Sequence, residues 1–447
     1  MSNTDGKLQK LEVNFAPQVD ELLPPTEQLA MTGRLQDALD QLMLMEKQTR
    51  NGGDMLSNAR VLVHIVRLCF RTNNLALLNE NIVALSKKHG ALKQAIQKMV
   101  QEAVTFVEQT PTKQAKLELI ETLRTVTEGK IYVEVERARL TRILATMRET
   151  DGDIAGAADI LQELQVETFG SMDKREKTDF LLEQMRLCLA RGDYTRTQII
   201  SRKISTKYFA DEAVSDLKLR FYELMIQHAL NANNYIAICK YYREVYSTKA
   251  VLEEELKWKE ILTFVVVFVT LSAYDNEQAD LIQRVALDER IAQIPVLKDF
   301  LKLFMTHELM RWPKVEEVYG PLLRSTYVFS ADTEEGKRRW ADFHNRVIEH
   351  NLRVVARYYT RITFQRLTEL LDLGSDKVEA FMSRLVCNGT IYARIDRPSR
   401  TVTFVKRSNA DETLAEWSSG VHRLLKLVEK TNHLIAKEEM VHQIMSK

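Results

Sequence analysis

The sequence predicts an all-α protein: a helical-repeat (TPR-like) solenoid with a period of about 40 residues, then a winged-helix module and one long C-terminal helix. Three observations support this prediction. The chain of 447 residues contains only 15 glycines and 8 prolines. Together they make up about 5% of the residues, whereas these two residue types make up roughly 12% of average proteins. Short polar turns recur at a constant spacing, and two short alternating segments near residue 400 interrupt the helical pattern.

Polar turns separate helical patterns from about residue 28 to about residue 275. They are Thr32-Gly33-Arg34, Thr72-Asn73-Asn74, Asp151-Gly152-Asp153, Arg191-Gly192-Asp193 and Asn233-Asn234, with Asp275-Asn276 as a weaker sixth. Counted from Arg34, the steps to Asn74, Asp153, Asp193 and Asn234 are 40, 79, 40 and 41 residues. Because 79 residues are two periods, we expect a further turn near residue 113, where Thr110-Pro111-Thr112 breaks the helical pattern.

Apolar residues also recur after three of these turns. Ile154, Ile160 and Leu164 match Tyr194, Ile200 and Ile204, and then Tyr235, Tyr241 and Val245. Their steps of six and four residues predict a shared helical face. A single helix pair cannot bury its apolar faces, so residues 1–238 are expected to stack as a solenoid suited to protein contacts. The alternative is an irregular helical domain in which the turns coincide by chance.

The chain carries 63 basic and 62 acidic residues, so a net charge of +1 gives no long-range field for a polyanion. The most apolar segment, Ile261 to Leu271, is too short for a bilayer and predicts a buried helix. Residues 1–12 carry charges where a secretory signal needs an apolar core, so we expect a cytoplasmic and nuclear protein. Cys69, Cys188, Cys239 and Cys387 are widely spaced in apolar patterns and are expected to be buried thiols.

Residues 239–408 form the next predicted domain, with a helical part at 239–360 and a winged helix at 361–408. A long helix after Trp340 leads to a short helix at 364–371, which Gly374 and Ser375 are expected to close. Asp376 and Glu379 offer a capping box for a second helix, residues 376–388. Two alternating segments, 391–395 and 401–405, flank the turn Arg397-Pro398-Ser399-Arg400 and predict a hairpin.

The charges of this module bear on whether it binds DNA. In the second helix Lys377 and Arg384 balance Asp376 and Glu379, whereas a helix that enters a major groove should be basic. The wing is basic instead: Arg394, Arg397, Arg400, Lys406 and Arg407 stand against Asp396. Two interpretations remain open, a solvated hairpin and a hairpin that binds an acidic protein partner.

The predicted last domain, residues 409–447, is a single helix without proline from Asp411 to Ile444. Its apolar residues recur at steps of three, four or seven: Leu414, Trp417, Val421, Leu424, Val428 and Ile435. This is a narrow coiled-coil-like seam, which we expect other chains to bury. The alternative is that the helix docks back onto the solenoid.

The sequence contains no catalytic or cofactor-binding motif that we can identify. Gly336-Lys337 lacks the first glycine of a phosphate-binding loop, because Ala331 occupies that position. His307-Glu308 begins a zinc-helix motif but meets Arg311 at the last ligand. We therefore expect a protein that is not an enzyme and that has no cofactor or metal site.

Helical repeats that lead into a winged helix are the layout of the PCI family, which is shared by proteasome lid, signalosome and translation-initiation-factor subunits. Residues 347–355 (VIEHNLRVV), 358–363 (YYTRIT) and 431–440 (TNHLIAKEEM) closely resemble the proteasome lid members. The resemblance implies a lid scaffold for ubiquitin-dependent protein degradation. It also implies that winged helices associate edge to edge, that C-terminal helices form a bundle, and that a neighbouring metalloprotease subunit removes ubiquitin.

The implied partners are other PCI subunits of the lid, the deubiquitinase subunit pair and the ATPase base, without a membrane or direct nucleic acid. The implied edge comprises Tyr392, Arg394, Arg397, Arg400, Val402 and Phe404. Two alternatives remain open. A signalosome subunit of the same family is similar around Glu349-His350-Asn351, and the basic wing would also suit a nucleic-acid-binding winged helix.

Overall fold

A computed structural model describes residues 14–110, 112–405 and 410–445. Its contacts divide the chain into two compact units: residues up to 233 with 247–250, and residues 234–246 with 251 onward. The helices before residue 234 are α1 (Ala16–Met31), α2 (Leu35–Asn51), α3 (Met55–Arg71), α4 (Leu75–Lys87), α5 (Lys93–Gln109), α6 (Lys113–Thr127), α7 (Glu134–Thr150), α8 (Ile154–Gln162), α9 (Lys174–Arg191), α10 (Tyr194–Lys203) and α11 (Ser215–Asn231).

The chain continues with α12 (Tyr235–Tyr246), α13 (Lys249–Glu253), α14 (Glu255–Leu271), α15 (Asn276–Ala286), α16 (Pro295–Met305), α17 (Trp312–Arg324), α18 (Glu334–Tyr358), β1 (Arg361–Thr363), α19 (Phe364–Leu371), α20 (Ser375–Cys387), β2 (Arg394–Asp396), β3 (Thr401–Thr403) and α21 (Ala410–Met445). Short 3₁₀ turns lie at Ile131–Val133, Val166–Thr168, Thr206–Ala210, Glu212–Val214, Glu289–Gln293 and Tyr327–Phe329. The predicted domain boundary after residue 238 falls inside α12, whereas the contacts change at the preceding turn.

The local chemistry of the predicted turns explains why they end one helix and begin the next. One residue of each of the first five turns has a positive φ: Gly33 (88°), Asn73 (54°), Gly152 (86°), Gly192 (84°) and Asn233 (52°). The weaker sixth turn differs, because Asp275 has an extended backbone before α15. Glycine and asparagine tolerate this left-handed conformation best. The next residue then caps the following helix at four turns, where Asn74, Asp153, Asp193 and Asn234 accept a hydrogen bond from a backbone N–H.

The further turn expected near residue 113 is present, because α5 ends at Gln109 and α6 begins at Lys113. Its chemistry differs from that of the other turns, since Thr110 and Thr112 both have extended backbones. Pro111 lies outside the described residues. The helix pairs therefore recur at the predicted period from α1 to α11.

Ion pairs between consecutive repeats recur at a constant spacing, slightly shorter than the repeat. Arg139 pairs with Glu176, Arg142 with Asp179 and Arg186 with Glu149, each across 37 residues. A continuous apolar core extends from Val19 to Leu144 through α1–α7, and smaller clusters around Phe180 and Leu187 follow it. Neighbouring repeats in this unit therefore bury one another's apolar faces.

The prediction of one shared helical face after the turns is wrong in detail. Ile154 and Tyr194, the first residues of α8 and α10, are 37% and 40% exposed. Leu164 and Ile204 are buried, but they lie beyond the ends of these short helices. In these two sets the spacing of six and four residues therefore crosses a helix end. Only the third set, Tyr235, Tyr241 and Val245, lies within one helix, α12, where all three residues are half-buried.

The apolar segment of α14 is buried on all sides from Phe264 to Leu271, as its composition predicts. Within the described ranges, no helix is long and apolar enough to cross a bilayer. Cys69, Cys188 and Cys239 are buried as expected, but Cys387 is exposed. Cys387 ends α20 beyond the face on which that helix packs, so the prediction of a buried thiol is wrong there.

The second unit contains the predicted winged helix. β3 is the central strand of an antiparallel sheet with the order β1-β3-β2, and α19 and α20 pack against its inner face. The core of the module joins this sheet to the end of α18 through Leu352, Val355, Leu367, Val378, Met382, Leu385, Val402 and Phe404. The single helix α21 follows, as predicted from its sequence pattern.

Three local predictions about this module are wrong. Asp372, with a positive φ of 51°, is the C-cap of α19, whereas Gly374 has an ordinary φ and precedes α20 as its N-cap. α20 begins at Ser375 without a side-chain cap, so Asp376 does not form the expected capping box. β2 and β3 contain three residues each and not five, because the ladder pairs only Arg394–Asp396 with Thr401–Thr403.

Candidate protein-interaction surfaces

The outer face of the winged-helix sheet carries part of the predicted basic wing. Thr403 lies opposite Arg361 of β1 on one side and opposite Arg394 of β2 on the other. Strand geometry places directly opposed residues on the same face, and both arginines are exposed while Ile362 and Val402 are buried. Arg361 therefore belongs to the same basic surface as the wing. The sequence pattern does not indicate this, because Arg361 is more than 30 residues away from the wing in the chain.

We use the name wing surface for Arg361, Arg394, Arg397 and Arg400. Arg397 donates to a carboxylate oxygen of Glu379 on α20 at 2.5 Å, so one of these charges is paired. Arg400 is exposed in the hairpin turn with a φ of 50°. The Ser399 hydroxyl donates to Asp396 at 2.6 Å and thereby holds the pKa of this carboxyl below its usual value. Lys406 and Arg407 lie outside the described residues.

The predicted edge residues separate into two groups. Tyr392 is 43% exposed, and the wing-surface arginines of the hairpin are also exposed. Val402 and Phe404 are 0% and 7% exposed and belong to the core of the module. Because β3 is paired on both sides, the outer strand of the hairpin is β2, and its far side is where a partner strand could add.

One of the two basic residues in the second helix of the winged helix is paired within the module. Arg384 of α20 donates to Glu349 of α18 at 3.0 Å, and Arg346 occupies the other oxygen of that carboxylate. The Arg384 guanidinium also lies 4.6 Å from the centroid of the Phe381 ring. Arg384 is therefore paired with a carboxylate and a ring of its own module.

The apolar residues predicted for the C-terminal seam are all exposed along α21. The side chains of Leu414, Trp417, Val421, Leu424, Val428 and Ile435 are between 40% and 70% exposed. Leu427, Leu434 and Val441 are exposed on the same helix at steps of seven residues. At 100° per residue these three lie beside the seam, so the apolar stripe is wider than the sequence pattern indicated.

The histidine of the incomplete zinc-helix motif, His307, and the nearby His350 both have structural contacts. His350 is 3% exposed, its Nε2 lies 3.3 Å from the Glu308 carbonyl oxygen, and burial lowers its pKa to about 4. His307 is hydrogen-bonded to Arg357. Across the described ranges, no group of three or more His, Cys, Asp or Glu residues is placed to hold a metal ion.

Three family models match successive parts of the chain. They are described as PSMD12/CSN4, N-terminal (residues 37–254), PCI domain (298–406) and 26S proteasome regulatory subunit RPN5 C-terminal domain (411–443). The chain is 45% identical to 26S proteasome regulatory subunit rpn501 of Schizosaccharomyces pombe, and the match covers 98% of both chains. The chain belongs to the family of 26S proteasome non-ATPase regulatory subunit 12, also named Rpn5.

Two further relatives agree with this assignment. The chain is 42% identical to 26S proteasome non-ATPase regulatory subunit 12 of Dictyostelium discoideum, over 97% of this chain and 96% of the relative. It is also 42% identical to 26S proteasome regulatory subunit RPN5 of Saccharomyces cerevisiae, over 98% of both chains. The resemblance to proteasome members of the PCI family is confirmed, and the signalosome alternative is not favoured. The domain limits and the individual interface residues stay predictions.

Proposed function

We propose that this chain is a non-catalytic scaffold of the 26S proteasome regulatory-particle lid that supports lid assembly and ubiquitin-dependent protein degradation. The similarity to regulatory subunits over 98% of the chain carries this proposal. The Dictyostelium relative is named a non-ATPase regulatory subunit. A scaffold is also consistent with stacked helical repeats, which offer a long surface for protein contacts.

Two surfaces serve the proposed assembly. The free side of β2 and the wing surface would meet a neighbouring PCI subunit, because an outer strand can accept a partner strand and exposed arginines favour an acidic surface. The stripe of α21 would enter a bundle of C-terminal helices, since Trp417 is 70% exposed and Leu424 63% exposed. Burial of such residues in a partner is favourable by roughly 25 cal/mol per Å² of apolar surface.

The other proposed partners are the lid deubiquitinase subunit pair, which this scaffold would help to position, and the ATPase base. The proposed compartments are the cytoplasm and the nucleus. No membrane attachment or direct contact with nucleic acid is proposed. Two ion pairs of the winged helix support the absence of nucleic-acid contact. Arg384 pairs with Glu349, and Arg397 pairs with Glu379 of the same chain.

Native purification of the tagged full-length chain, followed by identification of the proteins that co-purify, tests this function. We expect the regulatory subunits of the 26S proteasome, including PCI subunits, the deubiquitinase pair and the ATPases. Recovery of signalosome subunits in their place would refute the assignment to the lid. Salt-dependent binding of duplex DNA by the isolated full-length chain would support the nucleic-acid alternative instead.

A further inference from the structure

A cavity of about 340 Å³ lies in the second unit, between the end of α18 and the segment that precedes β2. Its walls include Phe304, Val354, Ile391 and Phe404, which are apolar. The volume is at the lower end of the roughly 300–1,000 Å³ of small-ligand pockets. The cavity can therefore accept one or two side chains of a partner.

Arg353 of α18 lines this cavity and is only half-buried. Its guanidinium lies 3.9 Å from the centroid of the Tyr274 ring, which is a cation–π contact. No described residue forms a hydrogen bond or an ion pair with this guanidinium. Five N–H donors of a partly desolvated arginine thus stand without an acceptor from the described part of the chain.

A second positive charge lies beside that of Arg353, because Arg357 also lines the cavity. His350 adds none near pH 7, since burial lowers its pKa to about 4. No aspartate or glutamate is among the described residues that line the cavity. The carboxylate of Glu349 acts on Arg353 from a distance, but its two oxygens accept hydrogen bonds from Arg346 and Arg384. Burial also lowers the pKa of Arg353 to about 10, so an anion that entered would stabilise its charged form.

We propose that this cavity binds a carboxylate side chain of an acidic peptide segment, with Arg353 as the bidentate partner of the carboxylate and Arg357 as a second donor. The planar guanidinium fork fits a carboxylate with two parallel hydrogen bonds. The apolar walls would contact aromatic or aliphatic residues that flank the acidic residue. This inference goes beyond the proposed lid function and does not depend on it.

The observations favour a peptide over a nucleic acid as the source of the anion. A cavity of this volume has no room for a duplex, and nucleic-acid surfaces present rows of phosphates to long basic grooves. Here only two arginines are present, and apolar side chains surround them. Tyr392, which lines the cavity and is 43% exposed, gives an approaching chain an open entrance.

The test is fluorescence anisotropy with the isolated full-length chain and a labelled Gly-Phe-Glu-Phe-Gly peptide with blocked ends. The same peptide with Gln for Glu is the reference. We expect the Glu peptide to bind about tenfold more tightly, because the Gln peptide cannot form the charge-assisted pair. Arg353→Met should weaken binding of the Glu peptide by about tenfold. Equal affinity for both peptides, or unchanged binding by Arg353→Met, would overturn the proposal.

Two further variants separate a specific site from a folding effect. Arg357→Met removes an exposed side chain of the cavity and should weaken binding several-fold without affecting the fold. Arg338→Met removes an exposed arginine of the same helix outside the cavity and should leave binding unchanged. Duplex DNA and inorganic phosphate are added as competitors. Displacement of the peptide by either at a lower concentration than by unlabelled Glu peptide would assign the cavity to phosphate and contradict the proposal.

Discussion

Arg186 of α9 and Glu149 of α7 form a bidentate ion pair across two consecutive repeats, with N–O distances of 2.7 Å and 2.6 Å. Arg186 also donates to Glu183 of its own helix, and Glu183 accepts from Arg220 of α11. The paired arginine lowers the pKa of Glu149. One charged network therefore links three successive repeats of the first unit.

Arg186→Met should lower the free energy of unfolding of the full-length chain by about 1 kcal/mol. The effect is modest because the Arg186 and Glu149 side chains are 35% and 30% exposed, and water screens the pair. Urea unfolding followed by circular dichroism measures it, and the deficit should shrink in 1 M salt. Arg202→Met, at an exposed arginine of α10, is the matched control. If the control variant loses as much stability as Arg186→Met, the ion pair between Arg186 and Glu149 is not the cause of the loss.

His350 should make the stability of the second unit dependent on pH. Burial lowers its folded pKa to about 4 from an ordinary 6.5, so only the unfolded chain binds the proton between these values. The stability that comes from burying the neutral imidazole of His350 is therefore fully present above pH 6.5 and is lost as the pH falls towards 4. His350→Gln should flatten the decline in stability between pH 7 and pH 5, as measured by urea unfolding with tryptophan fluorescence. His433→Gln, at an exposed histidine of α21, should not change that slope.

Core and surface roles within the predicted edge can be separated by substitution. Val402→Ala should destabilise the second unit by about 2 kcal/mol, because the side chain is 0% exposed in the centre of the sheet. Tyr392→Ala should change stability by less than about 0.5 kcal/mol, since Tyr392 is 43% exposed. Tryptophan fluorescence during urea unfolding reports both values. Similar losses in the two variants would show that this separation is wrong.

The α21 stripe should be required for assembly but not for folding. Deletion of residues 411–447, or the pair Leu424→Asp and Val428→Asp, should leave a folded chain that no longer co-purifies with the lid, because exposed apolar side chains lose their partner. Native gels of tagged chains measure incorporation. Lys426→Asp with Lys430→Asp changes the polar side of the same helix and should incorporate normally. Normal incorporation of the truncated chain would defeat the proposal for this helix.

Charge reversal of the wing surface should weaken contact with an acidic neighbour. Arg394→Glu with Arg400→Glu should reduce lid incorporation, and more strongly at low salt, because exposed charges act over about 10 Å at 0.1 M salt. Addition of Arg397→Glu should reduce lid incorporation further, and it also breaks the ion pair between Arg397 and Glu379. Arg338→Glu is the control for a single reversal of charge. Undiminished assembly of the triple variant would leave the solvated hairpin as the interpretation.

The sequence by itself determined the repeat, the order of the domains and the long last helix. Each depends on residues close together in the chain. A glycine or asparagine that tolerates a positive φ, followed by an asparagine or aspartate that caps the next helix, predicts a turn wherever it occurs. The apolar positions of α21 recur within one helix, so the sequence pattern predicts an apolar stripe there, although the exposed stripe is wider than the six predicted residues.

Only the tertiary structure decided which residues share a surface. Strand register placed Arg361 and Arg394 on either side of Thr403. Pairing on both sides made β3 the central strand, which buried Val402 and left β2 outermost. The cavity around Arg353 is formed by segments distant from one another in sequence. No local pattern records such contacts, because they arise only when separate helices and strands pack together.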